Sequence, residues 1–163
     1  MTIQGKVIKY GNNVNTDVII PSKFLVLTDP FALAAHAMEG LDPDFPRKIQ
    51  ERKIVVAGKN FGCGSSREQA PIALKYAGVT CVVADSFARI FYRNAINIGL
   101  PVLECDGISA NTRDRDELRV NLEQGLIEDV TQGRSFKATP LPPFLLAILE
   151  KGLVDYIRSR RSG

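Results

Sequence analysis

Between residues 54 and 104, three short apolar runs alternate with two helical stretches, and that order constrains the fold more than anything else in the chain. Ile54-Val55-Val56-Ala57, Cys81-Val82-Val83-Ala84 and Pro101-Val102-Leu103-Glu104 read as short buried strands. A glycine-rich loop and a predicted helix over Ser66–Tyr76 join the first two. A second predicted helix, Ser86–Ile98, closed by Gly99, joins the second and third. This β-α-β-α-β order predicts a parallel sheet with right-handed crossovers, hence an α/β fold.

The flanking segments differ in character. Ile3–Tyr10 mixes β-formers with Lys6 and Lys9 and stops at Gly11-Asn12-Asn13, predicting an edge or half-buried strand. The apolar run Val18–Ile20 ends at Pro21, and Phe24-Leu25-Val26-Leu27 forms an apolar patch in a predicted loop. Phe31–Met38 is a predicted short helix ended by Gly40. Beyond residue 117, Leu118–Leu122, Leu126–Ile127 and Ser135–Lys137 are predicted strands. Glycine-containing turns between them suggest an antiparallel meander beside the parallel core. Pro142-Pro143 opens a helix over Phe144–Lys151, which Gly152 is expected to break before a last turn around Tyr156. With no repeat and no linker, residues 1–163 read as one domain.

Composition removes several chemistries. His36 is the single histidine, so no multi-histidine metal site can be built. Cys63, Cys81 and Cys105 contain no C-x-x-C, and three thiols cannot supply a four-cysteine zinc or iron–sulfur site. An odd, scattered set of cysteines points to reduced thiols in a cytoplasm. Twenty-one Lys+Arg against 18 Asp+Glu leaves a net charge of +3, too small to imply nucleic acid. The basic cluster Arg158, Arg160 and Arg161 reads as a solvated tail. No apolar run approaches the ~18 residues of a membrane span, and no signal peptide is expected.

The chemically suggestive segment is Gly58-Lys-Asn-Phe-Gly62-Cys-Gly64-Ser65-Ser66-Arg67-Glu68, between a strand and a helix. Glycines let the backbone approach a ligand. Ser65 with Glu68, and Ser66 with Gln69, match two overlapping capping boxes. A helix N-terminus favours an anion, and the Arg67 guanidinium matches a carboxylate. The competing reading is that the serines only cap the helix while Arg67 pairs with a nearby acid. Gly62-x-Gly64-x-x-Arg67 departs from a dinucleotide fingerprint at its third glycine, and no Gly-Lys-Ser/Thr closes a P-loop.

Gly62-x-Gly64-Ser65-Ser66-Arg67-Glu68, Ser86-Phe87-Ala88-Arg89-Ile90 and Asn15-Thr16-Asp17, in a chain of this length, together resemble the swivelling domain of the aconitase superfamily. Within it they resemble the small subunits of 3-isopropylmalate dehydratases. That resemblance implies a β/β/α swivelling domain carrying half of an active site. The partner it implies is a large subunit holding a [4Fe-4S] cluster, with no metal bound by this chain. The implied reaction is a hydro-lyase one, 2-isopropylmalate to 3-isopropylmalate by dehydration and rehydration, in leucine biosynthesis. The family often has His where this chain has Gln69.

By the same resemblance Ser65 is the base, acting as an alkoxide, while Ser66 and Arg67 bind the substrate carboxylate. Specificity is implied for the loop Phe24, Leu25, Val26 and Leu27. Homoaconitase small subunits tend to carry an arginine at the Val26 position, and an apolar residue there suits an isopropyl group over a third carboxylate. Asp17 is expected to orient this loop. Arg89 and Arg93, four apart on one helix face, are expected to line the cleft, face the partner or pair on the surface. His36 reads as incidental and Cys63 as a thiol inside the reactive loop. Two other readings stay open: the same chemistry on homoaconitate or a methylated malate, and a non-catalytic carboxylate-binding module.

Overall fold

A computed structural model of the chain describes residues 1–161. Its strands, in chain order, are β1 (Thr2–Lys9), β2 (Ile54–Ala57), β3 (Cys81–Ala84), β4 (Val102–Glu104), β5 (Glu117–Asn121), β6 (Leu126–Asp129) and β7 (Arg134–Lys137). They form one sheet in the order β4-β3-β2-β1-β5-β6-β7. β1 to β4 pair in parallel, and β5, β6 and β7 continue from β1 as an antiparallel meander. The mixed α/β architecture expected from the sequence is therefore present.

β1 is not an edge strand. Val7–Lys9 pair with Ile54–Val56 of β2, and Thr2–Lys6 pair with β5, so it joins the parallel and antiparallel halves. Lys9 is not an edge guard. Lys9 reaches the Thr112 carbonyl at 2.7 Å, while Val7 and Ile8 are fully buried.

The helices among the described residues are α1 (Thr16–Ile19), α2 (Pro30–Ala34), α3 (Phe45–Lys48), α4 (Gln69–Ala77), α5 (Arg89–Asn97), α6 (Ile108–Asn111) and α7 (Pro143–Arg161). A 3-10 turn, Ser22–Phe24, lies between α1 and α2. β2 and β3 are buried along their whole length, against Ala70, Ala73 and Leu74 of α4 and Phe91, Ala95 and Ile96 of α5. Each large apolar side chain buried there contributes about 1.5–3 kcal/mol.

Several predicted helix boundaries move. The helix expected over Phe31–Met38 is shorter: α2 ends at Ala34, and residues 35–40 are turn, with Met38 at φ +62° and its N–H bonded to the Ile19 carbonyl. α4 begins at Gln69 rather than Ser66, and its N-cap residue, Glu68, makes no side-chain cap. Pro71 is the reason. It has no N–H, so it fits among the first, unpaired donors of a helix but would break the ladder of one starting earlier. Neither capping box forms. α5 begins at Arg89, because Ser86 and Phe87 are held by the glycine loop.

α7 runs unbroken through Gly152. A Cβ on Gly152 would lie 2.4 Å from the Gly99 nitrogen, so this glycine permits a close helix contact instead of ending a helix. The buried Lys75 of α4 secures the crossing by donating from Nζ to the Ile98 carbonyl and, at 3.1 Å, to that of Gly152.

The meander buries two carboxylates, Asp116 and Asp129, bridged by Gln132 Nε2 at 2.7 and 2.9 Å. Burial, reinforced by Asp116, raises the Asp129 pKa. Burial also pushes Asp116 upward, but hydrogen bonds from Asp129, the Arg113 N–H and Gln132 outweigh it and hold Asp116 low. Asp129 is therefore the weaker acid of the pair. A carboxyl raised in the folded state stabilises below its unfolded pKa and loses that contribution as pH rises through the folded value. Asp129→Asn, neutral throughout, should unfold at a higher temperature than wild type at neutral pH. That advantage should shrink as the pH falls, because a raised carboxyl takes up its proton earlier in the folded state than in the unfolded one; melting curves at neutral and acidic pH check it.

Candidate active site

The loop between β2 and α4 lies at the carboxyl end of the parallel strands, where open α/β sheets bind ligands. Phe61 anchors it from below, fully buried and edge-on to Phe87 at 5.9 Å and Phe91 at 5.2 Å. Ser86 locks it from the side: its Oγ accepts the Asn60 N–H at 2.9 Å and its carbonyl the Phe61 N–H at 3.0 Å. The Phe61 carbonyl accepts the Ala88 N–H at 2.9 Å. The Ser86–Ile90 motif thus begins as a brace for the glycine loop.

Gly62 must be glycine on two counts. Its φ is +82°, and an added Cβ would lie 2.2 Å from the Phe91 ring. Gly64, at φ +89°, turns the chain so that Ser65 and Ser66 stand exposed.

The segment after β1 supplies the opposite wall. The Val14 carbonyl accepts the Gly62 N–H at 2.7 Å, and the Cys63 carbonyl accepts the Thr16 N–H at 2.9 Å. Thr16 Oγ1 donates to the Ser65 carbonyl at 2.6 Å, fixing that backbone while leaving the serine hydroxyl unengaged. Arg67 donates to the Ile20 carbonyl at 2.8 Å and forms an ion pair with Asp17. Its partner is therefore an acid from Asn15-Thr16-Asp17, and Asp17 orients Arg67 instead of the loop before Val26.

Ser65, Ser66 and Arg67 line one cleft of about 220 Å³, with Thr16, Gly62 and Gly64 on one side and Arg89, Ile90 and Asn94 of α5 on the other. The backbone N–H groups of Ser65, Ser66 and Arg67 meet no acceptor among the described residues. Free amides, two hydroxyls and a fixed guanidinium make a site for a carboxylate or oxyanion without any capping role for the serines.

Val26 is not brought into this cleft. It is 83% exposed, beyond the 3-10 turn, while Phe24, Leu25 and Leu27 are half-buried beneath it. His36 is not incidental: its ring stacks on Phe24 with centroids 3.6 Å apart, and it pairs with Glu39. Sequence reasoning missed Thr16 and Asn94 as lining residues. A polar run just past a strand's carboxyl end was the available signal for the first.

Among the described residues, no three of His, Cys, Asp and Glu converge on a metal-sized site. Cys81 and Cys105 lie at opposite ends of the parallel sheet, and burial pushes their thiols up to about 12 and about 11. No described helix is long and apolar enough to cross a membrane.

The fold and cleft define an aconitase-type domain, and the family described as the aconitase C-terminal domain matches residues 34–107. The isopropylmalate/citramalate isomerase small subunit of Methanocaldococcus jannaschii is 56% identical over 97% of this chain and 95% of that one. The 3-isopropylmalate dehydratase small subunit of Ruminiclostridium cellulolyticum is 50% identical over 99% and 100%. The 2,3-dimethylmalate dehydratase small subunit of Eubacterium barkeri is 54% identical over 98% of each chain. A crystal structure of 3-isopropylmalate dehydratase from M. jannaschii superposes with a TM-score of 0.88 at 44% identity, covering 99% of this chain and 96% of that one. The chain belongs to the 3-isopropylmalate dehydratase small-subunit family of the aconitase superfamily.

Proposed function

We propose that this chain, with a large subunit, interconverts 2-isopropylmalate and 3-isopropylmalate by removing and re-adding water, in the cytoplasm and in leucine biosynthesis. The observation that carries this reading is identity at half of all positions, over the full length, with a 3-isopropylmalate dehydratase small subunit. The relatives' names share malates bearing apolar substituents, and the apolar run Phe24–Leu27 accords with such a substrate.

A proton must leave a carbon beside a carboxylate, so the reaction needs a strong base and positive charge around that carboxylate. Ser65 Oγ takes the proton as an alkoxide, held by the free loop amides and the nearby Arg67 guanidinium. Ser66 and Arg67 orient the carboxylate, while Asp17 and the Ile20 carbonyl keep the guanidinium in place. The scattered thiols of this chain, Cys63, Cys81 and Cys105, do not fit a cluster, which we place on the large subunit. A [4Fe-4S] cluster there supplies the Lewis acid that assists departure of the hydroxyl.

Combining the chain with its large subunit should give isopropylmalate isomerase activity that neither subunit has alone. Absence of turnover from a stable complex would contradict the reading. Because Val26 lies outside the cleft, its effect on specificity requires the Phe24–Leu27 segment to close over bound substrate. Val26→Arg should lower kcat/KM for isopropylmalate by about 10–100-fold and raise relative turnover of homoaconitate. Steady-state kinetics on both substrates check this, and an unchanged ratio would remove Val26 from specificity.

A further inference from the structure

We infer that the groove between α5 and α7 is the docking surface for the large subunit, an inference that rests on the two-subunit reading above. The groove, about 440 Å³, is lined by Arg89, Arg93, Ile96, Phe144, Leu145 and Ile148. Phe144 is 66% exposed and Ile148 40%, and on α7 they lie four residues apart on one face. Ile90, 53% exposed, adds an apolar residue on the neighbouring turn of α5. A cluster of this kind on a surface marks an interaction site rather than scattered apolar residues.

Two further observations select the occupant. First, groove and cleft are continuous: Arg89 lines both, and Ile90 lines the cleft. A subunit that completes the open side of the Ser65–Arg67 cleft must approach across this rim, so the adjoining apolar surface is the one it covers. Second, Arg89 and Arg93 have no carboxylate partner among the described residues, so the expected surface pairing within the chain does not occur. The complementary surface is an apolar projection flanked by carboxylates. Phe144 is its anchor, with Arg93 fixing orientation at the rim.

The test measures the affinity of the small subunit for its large subunit, with turnover followed as the small subunit is titrated. Phe144→Asp should raise the Kd of the complex at least about tenfold while leaving the unfolding midpoint of the isolated chain unchanged. At saturating small subunit, kcat should return to the wild-type value, because Phe144 touches no reacting group. Arg93→Glu, at an exposed position with no fold to lose, should weaken the complex in the same direction. Ile157→Asp, on another face of α7, should leave the affinity as it is. Wild-type affinity for both Phe144→Asp and Arg93→Glu, with normal turnover, would place the interface elsewhere and leave the two-subunit reading intact. If Phe144→Asp abolishes self-association of the chain but not large-subunit binding, the groove joins copies of this chain and the inference is overturned. Failure of the wild-type chain to bind the large subunit at all would instead overturn the functional reading.

Discussion

Ser65→Ala should reduce kcat of the assembled enzyme by at least about 10³-fold, with little change in affinity for the large subunit. The expectation follows from what surrounds the residue. Its carbonyl is tied to Thr16 Oγ1, the loop below it is braced by Phe61 and Ser86, and its hydroxyl has no partner to lose. Removing one exposed oxygen therefore leaves the fold and cleft wall intact and takes away only the proposed proton acceptor. Substrate KM should move far less than kcat, since Ser66 and Arg67 remain. Arg67 has a different signature: losing its guanidinium releases Asp17 and the Ile20 carbonyl together, so binding and loop geometry should fail at once.

Gly152→Ala should cost about 3 kcal/mol, lowering the melting temperature by roughly 5–10 °C. The added methyl would meet backbone atoms of Ile98 and Gly99 at 2.4–2.7 Å, and backbone has no rotamer by which to retreat. α7 would have to lift from the end of α5, and Lys75 would lose one of its two carbonyl acceptors. The same displacement moves Phe144 and Ile148, so large-subunit affinity should fall with stability. Thermal unfolding of the isolated chain checks the first effect. A melting temperature within a degree of wild type would show that α7 does not pack as closely as described.

The parallel core was legible because its strands are short, apolar and separated by helices, a pattern set by burial alone. The meander was legible from its turns. The central place of β1 was not, because its half-exposed first part carries Lys6 as an edge strand would, and only β5, more than a hundred residues away, pairs that part. Gly152 misled for a related reason: the residue against which it packs, Gly99, is distant in sequence. The start of α4 was present in the sequence at Pro71, and the capping pattern at Ser65 and Ser66 outweighed it wrongly.

Within the site, the residue types were legible and their partnerships were not. Ser65, Ser66 and Arg67 do share one cleft. That Arg67 is held by Asp17, and that Thr16 fixes the Ser65 backbone, depends on β1 and β2 lying side by side with their loops in contact. Val26 stood out only by the family resemblance, and its place outside the cleft makes closure of the Phe24–Leu27 segment a requirement of the account.

The central claim is that this chain carries the proton acceptor of a shared active site. Solvent-deuterium exchange into the substrate during turnover of the two-subunit enzyme tests it most directly. Wild type should incorporate deuterium at the carbon that loses its proton, while the Ser65→Ala enzyme, assembled to the same extent, should incorporate essentially none. Exchange at the wild-type rate in the Ser65→Ala complex would mean that the base lies on the large subunit and that this chain only binds the carboxylate.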